Sequence, residues 1–288
     1  MPNDVSVRRM TEADVAGADE LRRLVGWNQT LDDWRRFLKL SPEGCFVATR
    51  DRVVLGTVTS ITYDQRLSWI GMMLVRPEHR RQGIGRLLMR RELAYLQGRG
   101  VTCVKLDATP MGFPLYEQLG FVPEWTLTRW QGLPGDMDTA HLEGVPPARD
   151  LREGDWPAVQ EIDQGALGIS RSGLIQSLAH ESLRVLVWPS TGRVTGWGLL
   201  RAGTKADYLG PLVCPGNEGA SVLVHELLGS SGNRSVFWDV PDKNAAATSL
   251  VRRLGFTPIR SLTRMRLGPS RLTSDPEAQF AIADPSAG

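Results

Sequence analysis

Around one short stretch the chain commits itself to a strand, a tight turn and a helix in immediate succession. Ser68–Val75 (Ser-Trp-Ile-Gly-Met-Met-Leu-Val) is an apolar run of strand length, which suits a strand buried on both faces. Pro77 ends it, since proline cannot donate to a ladder. His79-Arg-Arg-Gln-Gly-Ile-Gly-Arg-Leu-Leu88 follows, and Ile84, Leu87, Leu88 and Tyr95 fall near helical spacing, with Gly98 and Gly100 marking the helix end.

A helix start exposes unpaired backbone N–H groups and a partial positive charge, so it attracts anions. Gly83 and Gly85 carry no Cβ, which lets a phosphate approach the backbone. Arg80, Arg81 and Arg86 crowd a helix N-terminus where cations are disfavoured by roughly 0.3–1 kcal/mol each, a conflict that a bound anion would relieve. The competing reading is a solvated basic turn whose glycines serve the fold alone. A P-loop is excluded because no lysine or hydroxyl residue follows Gly85. A dinucleotide fingerprint is excluded because Leu88 stands where its third glycine belongs.

The pattern Arg80-x-x-Gly83-x-Gly85 resembles the pyrophosphate loop of the GCN5-related N-acetyltransferases (GNAT), and the resemblance continues downstream. Val101–Asp107 reads as a strand, and Pro114-Leu-Tyr-Glu-Gln-Leu-Gly-Phe121 resembles the family's last helix and following turn. The covered region is about Val5–Arg129. The resemblance implies acetyl-CoA bound by Arg80, Arg81, Gln82, Gly83, Ile84, Gly85 and Arg86. A strand segment at Met73, Leu74 and Val75 would pair with the pantetheine arm and offer a backbone N–H to the carbonyl. Tyr116 would act as general acid toward the departing thiolate, with a packing role beside Leu115 and Leu119 as its alternative. Asp107, at a strand end, is a candidate base or the cap of the next turn; a chain of waters is an equal candidate.

The resembling family places acceptor specificity in its first two helices and the loop between them. Here that loop is Gly26-Trp-Asn-Gln-Thr30, so Trp27, Asn28 and Trp34 could line an amine pocket, with Tyr63 at a neighbouring strand end. Trp27 and Trp34 serve equally well as core residues.

With 288 residues there is room for two domains, and the sequence supports two. The first copy, 1–130, reads strand–helix–helix–strand–strand–strand–helix–strand–helix–strand. A connector at 131–147 is rich in Gly and Pro. From 148 to 269 the pattern recurs: Asp155–Ile162 echoes Asp14–Leu24, and Leu254-Gly255-Phe256 repeats Leu119-Gly120-Phe121. The expected fold class is thus α/β with a mixed sheet, as two tandem GNAT-like acyl-CoA N-acyltransferase domains. Residues 270–288, rich in Pro, Ser, Asp and Ala, are expected to be loosely packed.

The copies differ chemically. Pro215-Gly-Asn-Glu-Gly-Ala220 replaces the arginine turn, and Val251 aligns with Tyr116, so the second copy is expected not to hold CoA. It would serve as a lid, a wall of the acceptor site or a dimer surface. Asn244 stands where the family often has an asparagine touching CoA, which keeps weak binding open.

A net charge of +2 is too near neutral for a dedicated nucleic-acid binder. Cys45, Cys103 and Cys214 lack metal spacing, and His141, His180 and His225 lack partner spacing, so no metal is expected. No apolar run reaches the ~20 residues of a membrane helix, and a reduced cytoplasmic protein is the simple expectation. Two functions remain open at this level. One is acetyl-CoA-dependent transfer to a primary amine of a small molecule, or less favourably of a protein. The other is a non-catalytic acyl-CoA-binding or regulatory module with a partner-binding second half.

Overall fold

The computed structural model describes residues 4–135, 144–269 and 272–288. His141 and residues 136–143 of the expected connector lie outside the described residues. The first copy gives β1 (Ser6–Arg9), α1 (Val15–Leu24), α2 (Leu31–Leu40), β2 (Cys45–Arg50), β3 (Val53–Tyr63), β4 (Leu67–Val75), α3 (Ile84–Gly98), β5 (Cys103–Ala108), α4 (Phe113–Gln118) and β6 (Val122–Gly132). The second gives β7 (Arg149–Asp150), α5 (Trp156–Leu167), α6 (Ser172–His180), β8 (Ser182–Ser190), β9 (Arg193–Arg201), β10 (Asp207–Val213), α7 (Asn217–Gly229), β11 (Val236–Pro241), α8 (Ala245–Arg253) and β12 (Thr257–Leu267), followed by β13 (Gln279–Ala281).

Local chemistry explains the boundaries near the site. Thr30 and Asp33 form a capping box at the start of α2, with the Asp33 carboxylate accepting from the Thr30 N–H at 2.7 Å. The β2–β3 hairpin turns at Asp51 and Arg52, both with positive φ (48° and 67°), as a tight hairpin turn of matching twist requires.

Among the described residues, all 13 strands join one sheet, in the order β1-β2-β3-β4-β5-β12-β6-β11-β10-β9-β8-β7, with β13 added on β10. Pairs β4–β5 and β10–β11 run parallel, while the pairings through the centre are antiparallel. The last strands of the two copies have changed places. β12 of the second copy pairs with β5 of the first, and β6 of the first pairs with β11 of the second. The repeat therefore divides the chain into two copies but not into two sheets. The largest apolar cluster likewise mixes the copies, joining Trp34, Phe37 and Trp69 to Val159, Leu174 and Trp197.

The expectation of a loosely packed segment after 270 is corrected. Every residue from Ala278 to Asp284 is buried, as are Ser286 and Ala287. β13 pairs with β10 at Leu212 and Val213, and Trp238 Nε1 donates to the Phe280 carbonyl at 2.7 Å. The chain then crosses to the first copy, where the Tyr63 hydroxyl donates to the Ala287 carbonyl at 2.7 Å and Trp69 Nε1 to Pro285 at 3.1 Å. Backbone hydrogen bonds and the buried side chains of Phe280 and Ile282 hold this segment between the copies.

Candidate active site

The cleft begins where two strands part. β4 and β5 pair only from Leu67 to Trp69 against Cys103 to Lys105, and diverge beyond. On its other edge β4 bulges: its register against β3 slips between Thr57 and Thr59, and Met72 takes φ 46°. The Thr57 hydroxyl donates to the Met72 carbonyl at 2.7 Å and holds the bulge. The resulting cavity, about 520 Å³ with its open mouth, is walled by Met72 and Met73 of β4, Leu106 and Asp107 of β5, and Tyr116 of α4.

Leu74 and Val75 continue β4 to the turn that starts α3. Arg81 (φ 59°) and Gly83 (φ 87°) both lie in the left-handed region, and no side chain caps the helix. A Cβ at Gly83 would meet nothing, whereas one at Gly85 would come 2.9 Å from Met73 Cε. The turn thus presents open backbone on its outer side and packs tightly on its inner side, which is the donor set a diphosphate needs. The arginines are used unequally. Arg80 Nε donates to the Val75 carbonyl at 3.2 Å, Arg86 donates to the Gln118 side chain, and Arg81 is exposed. Gln82 donates to the Glu78 carbonyl at 3.2 Å, and Ile84 is buried in the core.

Tyr116 is 8% exposed and packs against Phe121 with ring centroids 6.0 Å apart and planes tilted by 60°. Burial pushes its phenol well above the usual tyrosine range, so it stays protonated at any working pH. Asp107 neither caps a turn nor stands free. Arg264 of β12, directly opposite, grips both its oxygens at 2.9 Å, while the Thr109 hydroxyl accepts from the Gly112 N–H in the next turn. Burial raises the Asp107 carboxyl and Arg264 opposes that rise. The Arg264 guanidinium itself lies 4.3 Å from the Trp69 ring centroid and 4.1 Å from that of Trp125.

Of the expected acceptor residues, Trp27 alone lines this cleft. Trp34 is fully buried in the core. Asn28 clamps the second copy, donating to Ala206 O at 2.9 Å and accepting from the N–H groups of Lys205 and Ala206. Tyr63 is committed to Ala287, as described above. In their place the wall contains Arg260 and Leu262 of β12, Pro285 and Ser286 of the threaded segment, and Gln29. Gln29 belongs to the expected acceptor loop; the others were not visible as site residues, because a local pattern does not reveal that the closing strand and the threaded segment come from beyond the first copy. Gly71 was a usable signal: a Cβ there would overlap the Ser286 backbone.

The second copy keeps the strand geometry without the site. Its strands β10 and β11 also part after Leu209, but β13 fills the gap and Cys214 N–H donates to the Ala278 carbonyl at 2.9 Å. A Cβ at Gly219 would run into the Trp188 ring, so the first turn of α7 packs against protein on that side, while Pro215–Glu218, just before Gly219, are exposed. Asn244 caps α8 through the Ala247 N–H at 2.8 Å and donates to the carbonyls of Glu277 and Gln279. Its amide is fully engaged within the chain.

A parted parallel strand pair, a bulged β4 and a glycine turn opening α3 define the acyl-CoA N-acyltransferase architecture, present here twice. The comparisons place it further. A profile of the acetyltransferase (GNAT) family matches residues 16–121, and a second acetyltransferase (GNAT) domain profile matches residues 159–281. YitH of Bacillus subtilis, described as an uncharacterized N-acetyltransferase, is 26% identical over 193 residues, 66% of each chain. A holothin acyltransferase from Pseudoalteromonas is 24% identical over 244 residues, 84% of this chain and 81% of its own. A Pyrococcus horikoshii structure, described as a candidate acetyltransferase, matches with a TM-score of 0.86 at 23% identity, covering 100% of this chain and 97% of its own. The chain belongs to the GNAT family of N-acetyltransferases, as a tandem member.

Among the described residues, no helix is long and apolar enough to cross a membrane, and no group of three or more His, Cys, Asp or Glu is placed to hold a metal. Cys45, Cys103 and Cys214 are buried.

Proposed function

We propose that the first copy transfers an acetyl group from acetyl-CoA to the primary amine of a small molecule, with the second copy as a wall of the acceptor site. Acetyl-CoA would supply the acyl group and a thiolate leaving group. The residues present fit it: the outer face of the 80–86 turn offers backbone N–H groups, and the β4 edge from Met73 to Val75 has no partner strand on the cleft side among the described residues. The observation that carries the reading is the position of Tyr116, a phenol on the wall of the same cleft as the β4 bulge. Such a group donates a proton to a leaving thiolate within hydrogen-bond reach, and pure binding has no use for it.

Asp107 is the one carboxylate among the described lining residues, and Arg264 holds it in an ion pair. It therefore acts as a structural brace between β5 and β12, and the amine proton leaves through water. The cleft's enclosure by both copies suits a small acceptor rather than a protein surface.

The test mixes the protein with acetyl-CoA and an amine panel while free thiol is followed. Tyr116→Phe should lower kcat at least tenfold with CoA affinity unchanged. Equal kcat in the variant overturns the general-acid role. CoA binding without thiol release for any amine favours a binding module instead.

A further inference from the structure

The buried arginines around the cleft are held by carboxylates, except for one. Arg264 holds Asp107, Arg129 holds Asp239 at 2.7 Å, and Arg201 holds Asp284 at 2.9 Å and Asp33 at 3.0 Å. Asp33 also binds Arg36. Every one of these carboxylates is thus already bound by an arginine.

Arg260 has no such partner. It sits on β12, two and four residues before Leu262 and Arg264, and so shares their face of the strand. It lines the same cleft as Tyr116. Its side chain makes no ion pair or hydrogen bond among the described residues, and its Nε is buried without a partner. Asp239 and Asp284 are near enough to favour its charge, but each is spent on another arginine, and Arg129 opposes it as a like charge. A partly buried guanidinium with no hydrogen-bonded partner is costly, and a planar oxyanion is the group that matches its fork.

We propose that the acceptor is an amine that also carries a carboxylate, and that Arg260 binds that carboxylate across the cleft from the reacting amine. The inference rests on the acyltransfer reading for the amine end alone; the anion end rests on the unmatched charge. The second copy would then contribute substrate selection as well as a wall, through a strand lent to the other copy's sheet.

Two measurements separate the two claims. The first uses CoA-loaded full-length protein and a series of N-acetyl amino acids and ω-amino acids, each beside its carboxamide, in calorimetric titration. The acid should bind at least tenfold more tightly than its amide for one or more chain lengths. Arg260→Met should erase that difference, and Arg260→Lys should restore part of it, with wild-type CoA affinity in both variants as the check on folding. Equal binding of acids and amides, no binding of any acid, or an acid preference that survives in Arg260→Met overturns the proposal. The second measurement is thiol release with the corresponding free amines. Its failure with the binding preference intact refutes the transferase reading and leaves the anion site standing.

Discussion

Glu92 offers a quantitative test of how the CoA-side helix is anchored. It lies on α3, is 0% exposed, and neither carboxylate oxygen has a hydrogen-bond partner among the described residues. Burial pushes its pKa from 4.5 up to about 8, against smaller opposing effects of Ser60 and Arg91. The folded protein therefore holds a proton that the unfolded chain releases above pH 4.5, and stability falls as pH rises from 4.5 to about 8. At about 1.4 kcal/mol per pH unit, the loss between pH 5.5 and 7.5 is roughly 3 kcal/mol. For a chain of 288 residues that corresponds to about 5 °C in Tm. Glu92→Gln, which cannot ionise, should lack this component. Unfolding followed by tryptophan fluorescence at several pH values should show wild type losing about 5 °C more than the variant across that interval. Parallel profiles for the two proteins would refute a buried, protonated carboxyl at this position.

Three further outcomes follow from other features. Gly83→Glu places a negative charge and a strained left-handed residue in the phosphate turn, and should weaken CoA binding at least tenfold by titration, with Tm little changed. Asp107→Asn breaks the buried pair with Arg264 and should cost roughly 3–5 kcal/mol in urea unfolding; full stability with lost turnover would instead make Asp107 a catalytic base. Removing residues 284–288 deprives Tyr63, Trp69, Arg171 and Arg201 of partners, and should lower Tm by several degrees while exposing Trp69 to fluorescence quenchers.

Much of the fold was legible because it is written in local patterns. β3 and α2 begin and end where hairpin and capping residues predict, and β4 stands out as an apolar run closed by Pro77. The turn before α3 was legible because glycines and arginines at a helix start conflict with local preference. α6 was missed: Leu174, Ile175 and Leu178 are its inward face, but the helix is short and Gly173 weakens its pattern. β13 was missed for a different reason. Its order is imposed by the gap between β10 and β11, which no feature of residues 270–288 encodes. The acceptor wall is hidden the same way: the loop and strand-end positions that suggest a ligand for Asn28 and Tyr63 do not reveal that each binds the other copy. Contacts between distant segments have no period to read.

The traded closing strands bear on how such a chain could have arisen and can change. A lone ancestral half would have left the edge of β5 bare, an open invitation to a sister molecule to donate its own final strand. Fusion of two such sisters turns a loan between molecules into one within a single polypeptide. The second copy lacks the arginine turn yet keeps β12, the strand that β5 of the first copy pairs with on that side.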